Sequence, residues 1–185
     1  KREYRSTFPA RPSNPITGVA MNDRIVVIAG GLSPERDVSL RSGRRVAEDL
    51  RDAGFQAEVR DIDATLLADL QNDPPACAFP IVHGVAGEDG SLQEVLQAIN
   101  IPFVGSDATS CRRSFDKAIA GSLVSAAGIS IPNAIALPQA MFRDLGAGGL
   151  LAATTEKVGL PLIIKPNRGG SALGVSVVHD PAELP

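Results

Sequence analysis

The run RIVVIAGG, Arg24–Gly31, constrains the fold more than any other stretch of the chain. An unbroken apolar, β-branched run is a strand buried on both faces, and two glycines after it feed a turn. Helical spacing follows, with Gly43, Val46, Ala47, Leu50 and Gly54 on one face. Ser39 suits an N-cap and Gly54 a C′ glycine. Gln56–Asp63 alternates as a second strand, and Ala76–Gly84 is a third apolar run with His83 at its carboxyl end. Ser91–Asn100 reads as an amphipathic helix and Ile101–Ser106 as a short fourth strand. Strand, helix, strand, given twice, predicts an α/β unit over residues 21–106 with a parallel sheet and crossover helices. Ligands of such sheets gather at the carboxyl ends of strands, where the Gly30-Gly31 turn and His83 both lie.

The pattern changes near residues 106–115. Phe115–Ile129 has helical spacing ending at Gly128, Ser130–Ala140 is strand-like, and Gly148–Gly159 reads as another helix. Leu162–Lys165, a glycine-rich loop and Val175–Val178 then make a β-loop-β. Residues 107–185 are therefore expected to form a second, α+β region. Residues 1–20 carry basic charge and three prolines without an apolar segment, and read as a disordered or non-native extension before a natural start at Met21.

Composition narrows the class. With 44% hydrophobic and 21% charged residues and a formal charge of −3, the chain is an ordinary globular one with no electrostatic reason to bind nucleic acid. Its apolar runs are of strand length, so no membrane span is expected. Cys77 and Cys111 lie far apart without metal-ligand spacing, as reduced thiols of a cytosolic protein do, and two histidines make no His-rich metal site.

Three loops carry chemistry. In IIKPNRGGSALGVSVV, Lys165 precedes the flexible segment Asn167–Gly174. Glycine lets backbone N–H groups approach a phosphate, and lysine adds a compact cation. The order is neither a P-loop nor G-x-G-x-x-G. The plainer reading is an exposed hairpin tip. Against it stand a length above the usual 2–5 residues and a lysine at the end of an apolar strand, where charge needs a partner. Glu35, in GGLSPERDVSL, is either a carboxylate for a substrate ammonium or a solvated acid near a helix N-terminus. His83, in HGVAGEDG, is either catalytic or structural, and Glu88-Asp89 could simply cap the following helix.

The segments AGGLSPERDVSLRSG, HGVAGEDGSLQ, PFVGSDATSCRRSFDKA and GLPLIIKPNRGGSALGVSVV follow in one order across residues 24–180. Together they resemble the D-alanine–D-alanine ligase family of ATP-grasp enzymes in peptidoglycan synthesis. The resemblance implies a parallel-sheet substrate domain followed by the first part of an ATP-grasp domain. It implies ATP contacts from Lys117, Lys165 and the loop Gly169, Gly170, Ser171, Ala172 and Gly174. It gives Glu35 the ammonium of the first D-alanine, His83 a place near that substrate's carboxylate, and Ser171 a hydrogen-bond network reaching Glu35. It further implies bacterial cytoplasm, a homodimer at full length, and Mg²⁺ or Mn²⁺. The metal ligands, an arginine and most of the second substrate site are expected beyond Pro185, so the 185-residue chain alone is expected to lack ligase activity. Many relatives have E-G-S-S where this chain has Gly169-Gly170-Ser171-Ala172, which implies a looser loop and altered nucleotide affinity. The alternatives are a D-alanyl-D-lactate or D-alanyl-D-serine ligase and a non-catalytic binding remnant. A nicotinamide oxidoreductase fits poorly, because AGGLSPE is not the dinucleotide fingerprint.

Overall fold

The computed structural model describes residue 20 and residues 23–183. Apart from Ala20, the expected extension and the start at Met21 lie outside the described residues. The described residues divide into two compact units: one holds Asp23–Leu32, Arg36–Ile81 and Val95–Gly105, and the other holds Ser33–Glu35, Val82–Glu94 and Ser106–Glu183.

In the first unit the elements run β1 (Arg24–Ala29), α1 (Arg36–Asp52), β2 (Gln56–Asp61), α2 (Leu66–Asn72) and β3 (Cys77–Pro80). The sheet has the order β2-β1-β3 and is parallel, with Val27 level with Val59 on one side and Phe79 on the other. The central strand is the continuous apolar run, and Val26, Val27 and Ile28 are fully buried. Helix α1 crosses one face, where Ala47 packs with Val27 and Ala57. A Cβ on Gly43 would lie 2.6 Å from the Ala29 Cβ, so the helix backbone rests directly on the strand's side chain there. The helix ends as expected at Gly54. Its φ is +90°, its N–H donates to Arg51 O at 2.9 Å, and Phe55 N–H donates to Leu50 O at 3.0 Å. That pair of bonds is the Schellman motif.

Ser39 is not an N-cap. It lies one turn inside α1, fully buried, where its hydroxyl accepts from Gly30 N–H at 2.8 Å and donates to Ile81 O. The hydroxyl thus ties the carboxyl end of β1 to the segment after β3. The expected fourth strand is reduced to one bridge between Ala78 and Phe103. Pro102 can accept from Ala78 N–H, at 2.8 Å, but has no N–H to extend the ladder. Helix α2 lacked a sequence signal strong enough to be read. Asp63 starts it by accepting from the N–H groups of Thr65 and Leu66.

In the second unit lie α3 (Val85–Glu88) and the first turn of α4 (Ser91–Ala98), whose start is met by Asp89 accepting from Ser91 N–H at 2.8 Å. Then come α5 (Ala108–Phe115), α6 (Lys117–Ala126), α7 (Gln139–Leu145) and α8 (Ala147–Val158). The single helix expected over Phe115–Ile129 is broken at Asp116, which leaves helical geometry to cap α6, while Asp107 caps α5. The stretch Ser130–Ala140 forms no strand: Pro132 and Pro138 remove ladder donors, Ile131 and Ile135 stay exposed, and Gln139 and Ala140 begin α7. The β-loop-β is present as the antiparallel pair β4 (Leu162–Ile164) and β5 (Ser176–Val178), with Leu162 level with Val178. Leu162 and Val178 are buried, whereas Ile163 and Val177 on the other face are 60% and 55% exposed.

Candidate nucleotide and substrate site

Every contact here lies within the second unit. The loop after β4 turns tightly. Ser171 and Ala172 have φ of +51° and +56°, and Leu173 N–H donates to Gly170 O at 3.1 Å, the arrangement of a type I′ turn. Left-handed geometry at two residues with side chains costs about 1–2 kcal/mol each. Among the described residues, no protein acceptor takes the N–H groups from Gly169 to Ala172. The turn with Lys117, Lys165 and Pro166 lines a cavity of about 140 Å³. That is well under the roughly 300–1,000 Å³ of a whole-ligand pocket. It suits phosphoryl groups and is too small for an entire nucleotide.

Lys117 opens α6, and its Nζ donates to Gly169 O at 2.8 Å, with Asn167 O at 3.4 Å. Lys165 lines the same cavity but is exposed, so the burial cost expected of a lysine ending an apolar strand does not arise. Gly174 does not line the cavity itself but packs on Pro166, which does: a Cβ on it would lie 3.0 Å from Pro166 Cγ.

Three further residues hold the loop to α6, and sequence reasoning missed them. Asp116 accepts from Ala118 N–H at 3.2 Å and Ile119 N–H at 3.1 Å, and pairs with Arg168 Nε at 3.2 Å. Asn167 Oδ1 accepts from Ala118 N–H at 3.0 Å, and Asn167 O accepts from Lys117 N–H at 3.1 Å. A hydrogen bond from the Asn167 side chain, then Ile119 N–H and Arg168, holds the Asp116 carboxyl below its ordinary range. An aspartate just before a helix is a readable cap signal. The sequence placed Asn167 and Arg168 only within the glycine-rich loop and gave their side chains no role.

The loop's other side meets the carboxylates. Ser171 donates its hydroxyl to Glu35 Oε1 in a short hydrogen bond. Glu35 N–H donates to Ser33 Oγ, which donates to His83 O, both at 3.2 Å. Gly84 has φ of +83° and packs on that contact, where a Cβ would lie 3.1 Å from Glu35 Oε2. His83 Nδ1 lies 3.7 Å from Glu88 Oε1, while its buried Nε2 has no partner among the described residues. A Cβ on Gly170 would lie 3.5 Å from Glu88 Oε2, so Glu88 borders the loop and does not cap α4. The arrangement brings two carboxylates, an imidazole and two ammonium groups around one glycine turn. Among the described residues, no three His, Cys, Asp or Glu side chains converge as a metal-ligand set.

Comparison with known proteins bears on this site. A family model described as D-ala D-ala ligase N-terminus matches residues 52–106, and one described as D-ala D-ala ligase C-terminus matches residues 123–185. The D-alanine–D-alanine ligase of Anaeromyxobacter dehalogenans is 35% identical over 87% of this chain and 50% of its own length. That of Pseudomonas entomophila is 38% identical over 87% of this chain and 48% of its own. The chain spans about half the length of the curated relatives it matches. Among solved structures, D-alanine–D-alanine ligase from Bacillus anthracis complexed with ATP matches with a TM-score of 0.65 at 29% identity, over 88% of this chain and 52% of that one. The D-Ala:D-Ser ligase from Enterococcus faecalis matches with a TM-score of 0.66 at 30% identity, over 84% and 55%. Both halves of one family, matched in order along a chain with this fold, lead to one conclusion: the chain belongs to the D-alanine–D-alanine ligase family.

Proposed function

We propose that this chain carries the triphosphate grip and the first-substrate site of an ATP-dependent ligase that joins two D-alanines for peptidoglycan synthesis. The observation that carries the reading is Ser171. The turn that lines the cavity with Lys117 and Lys165 is the turn whose hydroxyl reaches Glu35. Phosphate chemistry and amino-acid recognition therefore share one loop.

In this reading the carboxylate of the first D-alanine attacks the γ-phosphorus, and ADP leaves with the bridging oxygen. The amine of the second D-alanine then attacks the acyl carbon, loses a proton, and expels inorganic phosphate. Lys117, Lys165 and the N–H groups of Gly169–Ala172 face charge spread over phosphoryl oxygens, which is what catalysis of this transfer requires. Glu35 holds the first ammonium as a charge-assisted pair. His83, with Glu88 beside its Nδ1, stands near the substrate carboxylate. A turn resting on the carboxylates also keeps water from an acylphosphate. The described residues do not form a divalent-metal set, so no step is assigned to a metal here.

The reading extends to a bacterial cytoplasmic homodimer and to a domain boundary near residue 106, which is supported by the two family segments ending at 106 and starting at 123. A D-alanyl-D-serine ligase is the second reading, because the D-Ala:D-Ser enzyme is as similar in fold as the D-Ala–D-Ala enzyme is. Phosphate release from ATP by the protein at its full natural length, with D-alanine alone or with D-serine added, tests both. D-alanine-dependent release that falls at least tenfold in Lys117→Ala is expected. Release that is independent of D-alanine, or unchanged in that variant, would overturn the proposal.

A further inference from the structure

We infer that Asp116 and Arg168 are positioning residues that lock Lys117 and the glycine turn into one body. The inference rests on the nucleotide reading above and adds residues to it.

Asp116 is the one buried acid of the second unit among the described residues, with 8% of its surface exposed. A buried carboxylate needs partners, and this one has them on two elements. One oxygen caps α6 through Ala118 and Ile119 N–H; the other takes Arg168 Nε from the loop. Asn167 repeats the link in the opposite sense, because its side chain and its carbonyl both accept from the first N–H groups of α6. Lys117 closes the ring by donating from Nζ to Gly169 O. Segment Asn167–Gly169 is thus fastened to a helix end at both sides of Lys117. The two cationic groups of the cavity differ in consequence: Lys117 is held by the ring, whereas Lys165 Nζ makes no hydrogen bond among the described residues. Effective placement within a fraction of an ångström is what such fastening supplies to phosphate contacts. Arg168 is 64% exposed at its side chain, so its pair with Asp116 adds little to global stability. Its effect should appear in ligand binding instead.

The test is affinity for ATP and for adenosine, with melting temperature, in Asp116→Asn, Arg168→Ala and the double variant of the full-length protein. Asparagine keeps the cap acceptor and removes the charge. Each single variant is expected to weaken ATP binding about 3- to 10-fold and to leave adenosine binding within about twofold; Arg168→Ala leaves melting nearly unchanged, whereas Asp116→Asn lowers it through the lost carboxylate. The double variant should be no weaker than the worse single one, because both break one link. Arg168→Lys should restore part of the loss. Parallel losses for adenosine and ATP, or additive losses, overturn the inference. So does ATP binding that is unaffected in the singles while Lys117→Ala weakens it. If Lys117→Ala also leaves ATP binding unchanged, the nucleotide reading itself falls.

Discussion

Replacing Gly30 with alanine gives a sharp test of how the first strand ends. Gly30 has φ of +93°, and a Cβ there would sit 2.2 Å from Asp61 Oδ1 and 2.8 Å from Asp61 Cγ. No rotamer of alanine relieves this, so the carboxylate must leave. Asp61 would lose Gly31 N–H at 2.9 Å, which is worth about 1.5–3 kcal/mol as a charged hydrogen bond. It would also lose Arg36, a pair with side chains 42% and 29% exposed, which adds at most about 1 kcal/mol. Left-handed geometry at alanine costs about 1–2 kcal/mol. Reduced freedom of the unfolded chain returns about 0.4–1 kcal/mol. The net destabilisation is about 2–5 kcal/mol, read as the shift in urea midpoint at constant slope. In an Asp61→Ala background the collision and the lost bonds are already gone, and the same substitution should cost about 1 kcal/mol. Equal losses in both backgrounds, or a loss under 1 kcal/mol in the natural one, would refute the reasoning.

Other outcomes follow from the same contacts. The Arg36 side chain, then Gly31 N–H, holds Asp61 below its ordinary range, so its contribution is complete above about pH 4 and fades as pH falls through the lower folded value. Acid denaturation followed by circular dichroism should therefore be flatter below pH 4 in Asp61→Asn, and an unchanged profile would contradict this. Gly43→Ala gains about 1 kcal/mol of helix propensity but forces α1 off Ala29, at about 1–3 kcal/mol of overpacking. A net loss near 1 kcal/mol in chemical denaturation is expected, and a stabilised variant would show that the helix can shift freely. Ser171→Ala deletes the hydroxyl donated to Glu35. Because Ser171 is exposed, the loss is set near 1 kcal/mol, about fivefold in kcat/KM for D-alanine, and no change would remove the link between loop and carboxylate.

Much of this was legible in the chain. The five-residue apolar core of β1 and the Gly54 ending of α1 follow from local rules, and both hold. The failures share a cause: local signals lose to partners distant in sequence. Ser39 looked like a cap because serine favours caps, yet Gly30 and Ile81 claim its hydroxyl. Ser130–Ala140 looked strand-like, but two prolines oppose pairing, and Gln139 and Ala140 open α7 instead. At the site, motif order pointed to Lys117, Lys165, Glu35 and the loop. The roles of Asn167 and Arg168 emerge only when residues some fifty positions apart meet, as Asp116 and Arg168 do at a separation of 52.

The most direct measurement is a crystal structure with a non-hydrolysable ATP analogue and D-alanine. The expected result has the terminal phosphates within hydrogen-bond reach of Lys117 Nζ, Lys165 Nζ and the Gly169–Ala172 N–H groups, with the amino acid's ammonium on Glu35. Phosphates bound away from those groups, or a D-alanine that does not touch Glu35, would contradict it.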